Sequence, residues 1–293
     1  MNKNRWIILS VIIAAMAVMS IVLYYYAVRI IIPKPPTTFA RHHFQISKIY
    51  PTAPGGREWF IDMDNPTSDG IFDPQSPITK QPDGSWQIEG RQTHDNQVRM
   101  NVNTPEGMQP WKNVEITGYA KVISADSPSN DHLDWYARGG RHTHGAPCEG
   151  SALKGWLSVD GIASWVKEIW YPGGYTNERD KVRATDDSIL GRWIGWTVVM
   201  YNINNDRAVK MESYIDDNDN NHWKKVTDLV DNGGWYSRGS DEQFYSAGCG
   251  KLKDYIITNS GSIVTYRSDN MVWDFADLSV REIQPPSSPS RSS

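Results

Sequence analysis

Residues 114–122 read VEITGYAKV, and this stretch decides the fold. Val114, Ile116, Gly118, Ala120 and Val122 fall on one side of an extended chain, and Glu115, Thr117, Tyr119 and Lys121 fall on the other. Side chains alternate faces in this way in a β-strand, whereas a helix would scatter both sets around its circumference. The same period returns at 133–138, where Leu133, Trp135 and Ala137 oppose Asp134, Tyr136 and Arg138. At 165–171, Val166 and Trp170 oppose Lys167, Ile169 and Tyr171. At 209–215, Val209, Met211 and Ile215 oppose Lys210, Glu212 and Tyr214.

Working outward, strands are expected at Ser85–Glu89, Gln97–Asn103, Val114–Ser124, His132–Gly139, Gly155–Val159 and Ser164–Tyr171. Others are expected at Trp193–Asn202, Val209–Asp216, Lys224–Val230, Ser262–Arg267 and Met271–Ile283. Turn pairs separate most of them: Asp83-Gly84, Asp160-Gly161, Gly173-Gly174, Asn204-Asn205 and Gly233-Gly234. No sustained helical period or internal repeat appears after the first thirty residues, which argues against propellers and solenoids. The expected class is all-β, a two-sheet antiparallel jelly-roll sandwich. Residues 39–80 are rich in Pro, Gly and Asp and suggest a first strand with a long loop.

The apolar run from Trp6 to Ile32 has its first charge at Arg29. It exceeds the roughly 20 residues a membrane-spanning helix needs, and it is longer than the apolar part of a cleaved signal. Tyr24, Tyr25 and Tyr26 suit its interfacial end, and Lys3 and Arg5 favour a cytoplasmic start. Residues 1–32 are thus expected to anchor the chain in the cell membrane as a single pass. Residues 33–39 follow as a Pro-rich linker, then 40–284 as an extracellular domain and 285–293 as a disordered tail. Cys148 and Cys249 are the only cysteines, and outside the cell an even pair suggests a disulfide. Net charge is −4, with acidic and basic residues mixed and no basic stretch suited to nucleic acid.

Thirteen Trp and fourteen Tyr stand against six Phe. Rings with a polar edge suit places where one side is wet. If the polar rows lie side by side, Tyr119, Tyr136, Lys167, Tyr171, Lys210, Glu212 and Tyr214 line a groove. Such a surface suits sugars, whose C–H faces stack on rings while their hydroxyls need polar partners. The ordinary alternative is that these are plain solvent faces of half-buried strands. The densest set of reactive groups is WYARGGRHTHGAPCEG at 135–150, with Arg138, His142 and His144. Two histidines two apart on a strand share a side and could bind a metal, but no third ligand is identifiable. Tyr171 and Tyr175 flank a Pro-Gly-Gly turn. In DDNDNN at 216–221, Asp217, Asp219 and Asn221 have the spacing of a calcium loop. His222 stands where that loop needs Gly, so a hairpin turn with no cofactor is the simpler reading.

VKMESYIDDNDNNHWKKVTD at 209–228 and IVTYRSDNMVWDFADLSVREI at 263–283 resemble a sheet-crossing hairpin and the closing strands of the concanavalin A-like jelly-roll superfamily. That group includes lectins, β-glucanases and polysaccharide lyases. The resemblance implies a glycan or polysaccharide partner. If it extended to the lyases, which cleave uronic acid polymers by β-elimination, Arg138 would neutralise the sugar carboxylate. His142 or His144 would be the base and Tyr175 the acid, with Tyr136 as second choice for the acid. The leading expectation is a membrane-anchored, extracellular carbohydrate-binding protein. The alternatives are such a lyase, or a structural or adhesive envelope protein.

Overall fold

The computed structural model describes residues 46–90 and 97–286, together with Met19 and Ser20. The expected linker at 33–39 lies outside these residues, as does the expected span at 6–32 apart from Met19 and Ser20. Among the described residues no helix is long and apolar enough to cross a membrane.

Strands in chain order are β1 (Glu58–Phe60), β2 (Phe72–Pro74), β3 (Ile78–Lys80), β4 (Trp86–Glu89), β5 (Gln97–Asn103), β6 (Val114–Ala125), β7 (His132–Gly139) and β8 (Ala152–Ser158). They continue as β9 (Ile162–Glu168), β10 (Arg179–Arg183), β11 (Trp193–Ile203), β12 (Ala208–Asp216), β13 (Lys224–Asp231), β14 (Ile263–Asp269) and β15 (Met271–Glu282). One sheet runs β13-β12-β11-β6-β15-β4-β3, with β1 also paired to β15, and the other runs β10-β9-β8-β7-β14-β5-β2. The strand pairings within both sheets are antiparallel. This is the expected two-sheet sandwich. The expected strands are present, with ends shifted by a few residues, and the region expected to hold one strand supplies three short ones. The edge strand β10, RDKVR, lacks an apolar period and was not expected.

Val114, Ile116, Ala120 and Val122 of β6 enter the core between the sheets, as their alternation predicts. Gly155 and Gly118 mark places where the layers come close. A Cβ on Gly155 would lie 2.4 Å from Val198 Cγ1 of the opposite sheet, and one on Gly118 would lie 3.2 Å from Trp135 of the opposite sheet and 2.5 Å from Leu278 Cδ2 on the neighbouring strand β15. The tryptophans correct the reading from composition. Trp111, Trp135, Trp165, Trp170, Trp196 and Trp273 are fully buried rather than displayed on a wet face. Several satisfy their polar edge internally. Trp165 Nε1 donates to Thr227 Oγ1 at 2.8 Å, and Trp273 Nε1 donates to Ser268 Oγ at 2.8 Å. The polar edge that suits a wet surface suits an inter-sheet hydrogen bond equally well.

The outer face of the eight-stranded sheet is also covered. Residues 46–52 lie over it, and the amides of Ile49 and Tyr50 donate to Glu115, which is fully buried beside Arg281. Loops at one end of the sandwich are joined by the disulfide Cys148–Cys249, with Cα atoms 5.5 Å apart.

Candidate functional site

The expected groove residues separate into three places. Tyr119, Lys210, Glu212 and Tyr214 lie on the outer face of the eight-stranded sheet. Tyr119 is fully buried and donates to Asp216 Oδ2 at 2.9 Å. Glu212 accepts from Tyr50 at 2.6 Å, Tyr214 at 2.8 Å and Lys225 at 2.6 Å, while Lys210 pairs with Asp228. Burial and then the Glu212 carboxylate push the Tyr214 phenol well above its ordinary range. Burial would raise Glu212 itself, but Lys225, Tyr50 and Tyr214 outweigh it and bring the carboxyl down. These groups are mutually satisfied and hold the N-terminal strap and β13 to the sheet.

Arg138 and Lys167 sit between the sheets, not in a groove. Arg138 has a φ of 75° and follows a stretch where the β7–β14 register shifts. The side chain therefore turns inward and is wholly buried, bonding Asn202 Oδ1 and donating to Ile257 O at 2.8 Å. Burial lowers this guanidinium to about 9. In β9 the inward face is Ala163, Trp165 and Lys167, the reverse of the expected parity. Lys167 Nζ donates to Asp231 Oδ2 and Tyr255 O, each at 2.8 Å, and so ties β9 to the opposite sheet. Burial pushes its ammonium down, with Asp231 acting against it.

The third place is the outer face of the seven-stranded sheet, which gathers Tyr136, Tyr171, Tyr175, His142 and His144. Its centre is Lys154, which sequence reasoning passed over. Tyr136 stands directly opposite Lys154 in the β7–β8 register, with its ring centroid 4.5 Å from Lys154 Nζ. Lys154 donates to the Tyr175 hydroxyl at 2.8 Å and lies 3.0 Å from Glu168 Oε2 and 3.7 Å from Asp134 Oδ2. On the next strand, Arg267 faces Asp134 across β7–β14 and forms a two-pronged pair with Asp269 at 2.9 and 2.8 Å. His142 Nε2 lies 3.0 Å from Glu168 Oε1. The Tyr171 ring packs 4.5 Å from His142 and 4.8 Å from His144, and its hydroxyl is 3.1 Å from His144 Nε2. The histidines reach this face from a loop, not from a strand.

Charge is nearly balanced at this centre. Burial alone would discharge Lys154, but Glu168, Tyr175 and Asp134 more than reverse it and hold the ammonium above its ordinary range. Burial alone would raise Glu168, yet Lys154 and His142 bring it to about 2. Burial raises the Tyr175 phenol, with Lys154 opposing it in part. At neutral pH the face therefore presents a charged Lys–Glu pair and a protonated tyrosine. These are positioned hydrogen-bonding groups beside aromatic rings.

Two residues along β8, Trp156 stands opposite Asp134 on one side and Ser164 on the other. It borders a cavity of about 250 Å³ that also includes His132. Alternation could have disclosed both Lys154 and Trp156. Leu153, Gly155 and Leu157 are the inward set, and extending that parity back to Ala152 puts Lys154 and Trp156 outside.

Asp217, Asp219 and Asn221 occupy the β12–β13 turn, as the hairpin reading had it. Asp217 pairs with Arg192 at 2.6 Å, and Asn221 Oδ1 accepts from Ser47 N at 2.9 Å and Trp223 Nε1 at 3.0 Å. Asp217 and Asn221 thus have protein partners in this turn. Among the described residues no group of three or more His, Cys, Asp or Glu is arranged to hold a metal ion.

No protein-family model and no curated protein matches the chain. Among solved structures it is similar to the exoplasmic/lumenal domain of VIP36 with Ca2+ and Man3GlcNAc bound, at 12% identity over 76% of this chain and 89% of that chain, TM-score 0.43. It is also similar to Cip1, a cellulose-induced protein, at 7% identity over 78% and 100%, TM-score 0.45. A third is arcelin-5, a lectin-like defence protein of Phaseolus vulgaris, at 8% over 78% and 98%, TM-score 0.41. The likeness is one of fold.

Proposed function

We propose that this protein binds carbohydrate on the outer face of its seven-stranded sheet. One observation carries the reading: Tyr136, Tyr175 and Trp156 stand partly exposed around the fixed Lys154–Glu168–Asp134 cluster. Rings and positioned polar groups together meet both demands of a sugar, an apolar C–H face and hydroxyls that need partners. The polar rows of the eight-stranded sheet lack this character because they are spent on internal bonds. β-Elimination has less support, because Arg138, the expected partner of a uronate carboxylate, is sequestered between the sheets.

The domain is held outside the cell by the apolar run at 6–32. The Cys148–Cys249 bond supports this location, since structural disulfides persist in oxidising compartments. Cleavage of the domain by protease added to intact cells tests it; protection from that protease would refute it.

A glycan array probed with the full-length protein in detergent tests the binding. Binding that Tyr136→Ala abolishes, with an unchanged fold by circular dichroism, is the expected result. A blank array would refute the reading in favour of a structural envelope role. Accumulation of an unsaturated, ultraviolet-absorbing product from alginate, pectate or glucuronan would replace it with the lyase reading.

A further inference from the structure

The geometry points to the cavity beside Trp156 as the main sugar subsite, and to an uncharged pyranose, not a uronate, as its occupant. This deepens the reading above and rests on it. Three polar atoms on this stretch of the sheet are buried yet have no hydrogen-bond partner among the described residues: Trp156 Nε1, His132 Nδ1 and Asp134 Oδ1. Fifteen buried side-chain atoms among the described residues are of this kind, and these three are set apart by lying together beside a cavity on the sheet's outer face. They are neighbours. The His132 and Trp156 rings pack with centroids 3.9 Å apart, and Asp134 faces Trp156 across the β7–β8 ladder.

Their chemistry is mixed. The indole nitrogen can only donate, whereas a neutral imidazole nitrogen can accept or donate. A hydroxyl does both, so one ring edge bearing several hydroxyls can serve Trp156 and His132, which line the cavity, after small side-chain movements. Burial pushes His132 down, which keeps its imidazole neutral and able to accept or donate. A carboxylate would meet Asp160 and Glu178 at the cavity wall, where the one lysine lining it, Lys181, is already 3.4 Å from Glu178. The exposed part of the Trp156 ring supplies the flat apolar surface on which a pyranose can lie. Lys154 follows on the same face about 7 Å along the strand, so a second sugar unit would reach the Tyr136–Lys154 centre.

Full-length protein in detergent, titrated calorimetrically with cello-, manno- and xylohexaose and with oligomers of glucuronate, alginate and pectate, tests the inference. At least one neutral hexaose is expected to bind, with no measurable binding of the acidic oligomers. Trp156→Ala should weaken that binding at least about tenfold. Ser129→Trp, an exposed change at the cavity mouth, should weaken it without risk to the core. Tyr236→Ala, at a residue 61% exposed in a different loop, should leave it unchanged. Full affinity in both Trp156→Ala and Ser129→Trp would overturn the subsite while leaving carbohydrate binding standing. Tighter binding of a uronate oligomer would overturn the choice of sugar. Failure of wild-type protein to bind any oligomer would overturn the proposed function, and this inference with it.

Discussion

Replacing Lys154 with Met should be the most informative single change in the protein. Lys154 is 1% exposed and lies within reach of two carboxylates and a phenol. Met keeps much of the apolar stem and removes the charge. The loss strands Glu168, itself 1% exposed, with His142 as its remaining close polar partner among the described residues. Removing one member of a buried ion pair costs about 3–5 kcal/mol, because the other member stays buried without compensation. At about 2–4 °C per kcal/mol for a domain of this size, the melting point should fall by roughly 6–20 °C. The deficit should depend on pH with a definite sign. In the wild type Glu168 titrates near 2, below its ordinary value of about 4.3, so its stabilisation is complete above that ordinary value and is lost as pH falls through 2. In Lys154→Met, burial prevails and the carboxyl rises, so acid neutralises it early and the gap to wild type narrows on acidification. Urea unfolding from pH 7 to pH 3 measures both quantities. Adding Glu168→Leu should recover about 2 kcal/mol or more, since an apolar pair replaces the stranded charge. A single-variant loss below about 1 kcal/mol at pH 7, or a gap that widens in acid, would refute the account of this centre.

Other expectations follow from the same packing. The double variant Cys148→Ser/Cys249→Ser releases a loop spanning 101 positions and should lose about 4–5 kcal/mol in urea unfolding, on the chain-entropy account. Gly155→Ala forces a Cβ to 2.4 Å from Val198 Cγ1, so the sheets must separate; calorimetry should register about 1–3 kcal/mol of destabilisation. Tyr214→Phe removes the 2.8 Å bond to Glu212 and should cost about 1 kcal/mol while glycan binding is unaffected, which separates the two outer faces.

The fold was legible because alternation is a backbone property that any half-buried strand must show. Residues 114–122 are sufficient: each apolar member reaches the core, and each polar member points away. What alternation cannot disclose is whether the polar side is wet. Glu115, Thr117 and Tyr119 point away from the core and are still buried, because the strap at 46–52 and Trp223 cover them. Nor does parity survive a local irregularity. Arg138 follows Tyr136 by two and should share its face, but its left-handed backbone turns it inside. Lys167 hid for a different reason. A lysine that bridges to Asp231 of the opposite sheet looks in sequence like a solvent residue, since its partner is 64 positions away. The short strands β1, β2 and β3 offer three residues each, too few to show a period.

The site follows from this distribution of charge. Both outer faces carry charged residues, but among the described residues the two faces use them differently. On the eight-stranded sheet the Glu212 oxygens accept from Tyr50, Tyr214 and Lys225, so a ligand there would have to break bonds before making any. On the seven-stranded sheet the charges of Lys154, Glu168 and Arg267 are neutralised in place, which fixes the side chains without consuming Asp134 Oδ1 or the Trp156 indole nitrogen. Fixed groups lose little freedom when a ligand arrives, and unpartnered ones gain a bond that the folded chain could not supply. The seven-stranded face is therefore the one on which the proposed binding would yield a net gain, even though the two faces look alike when their residues are counted in sequence.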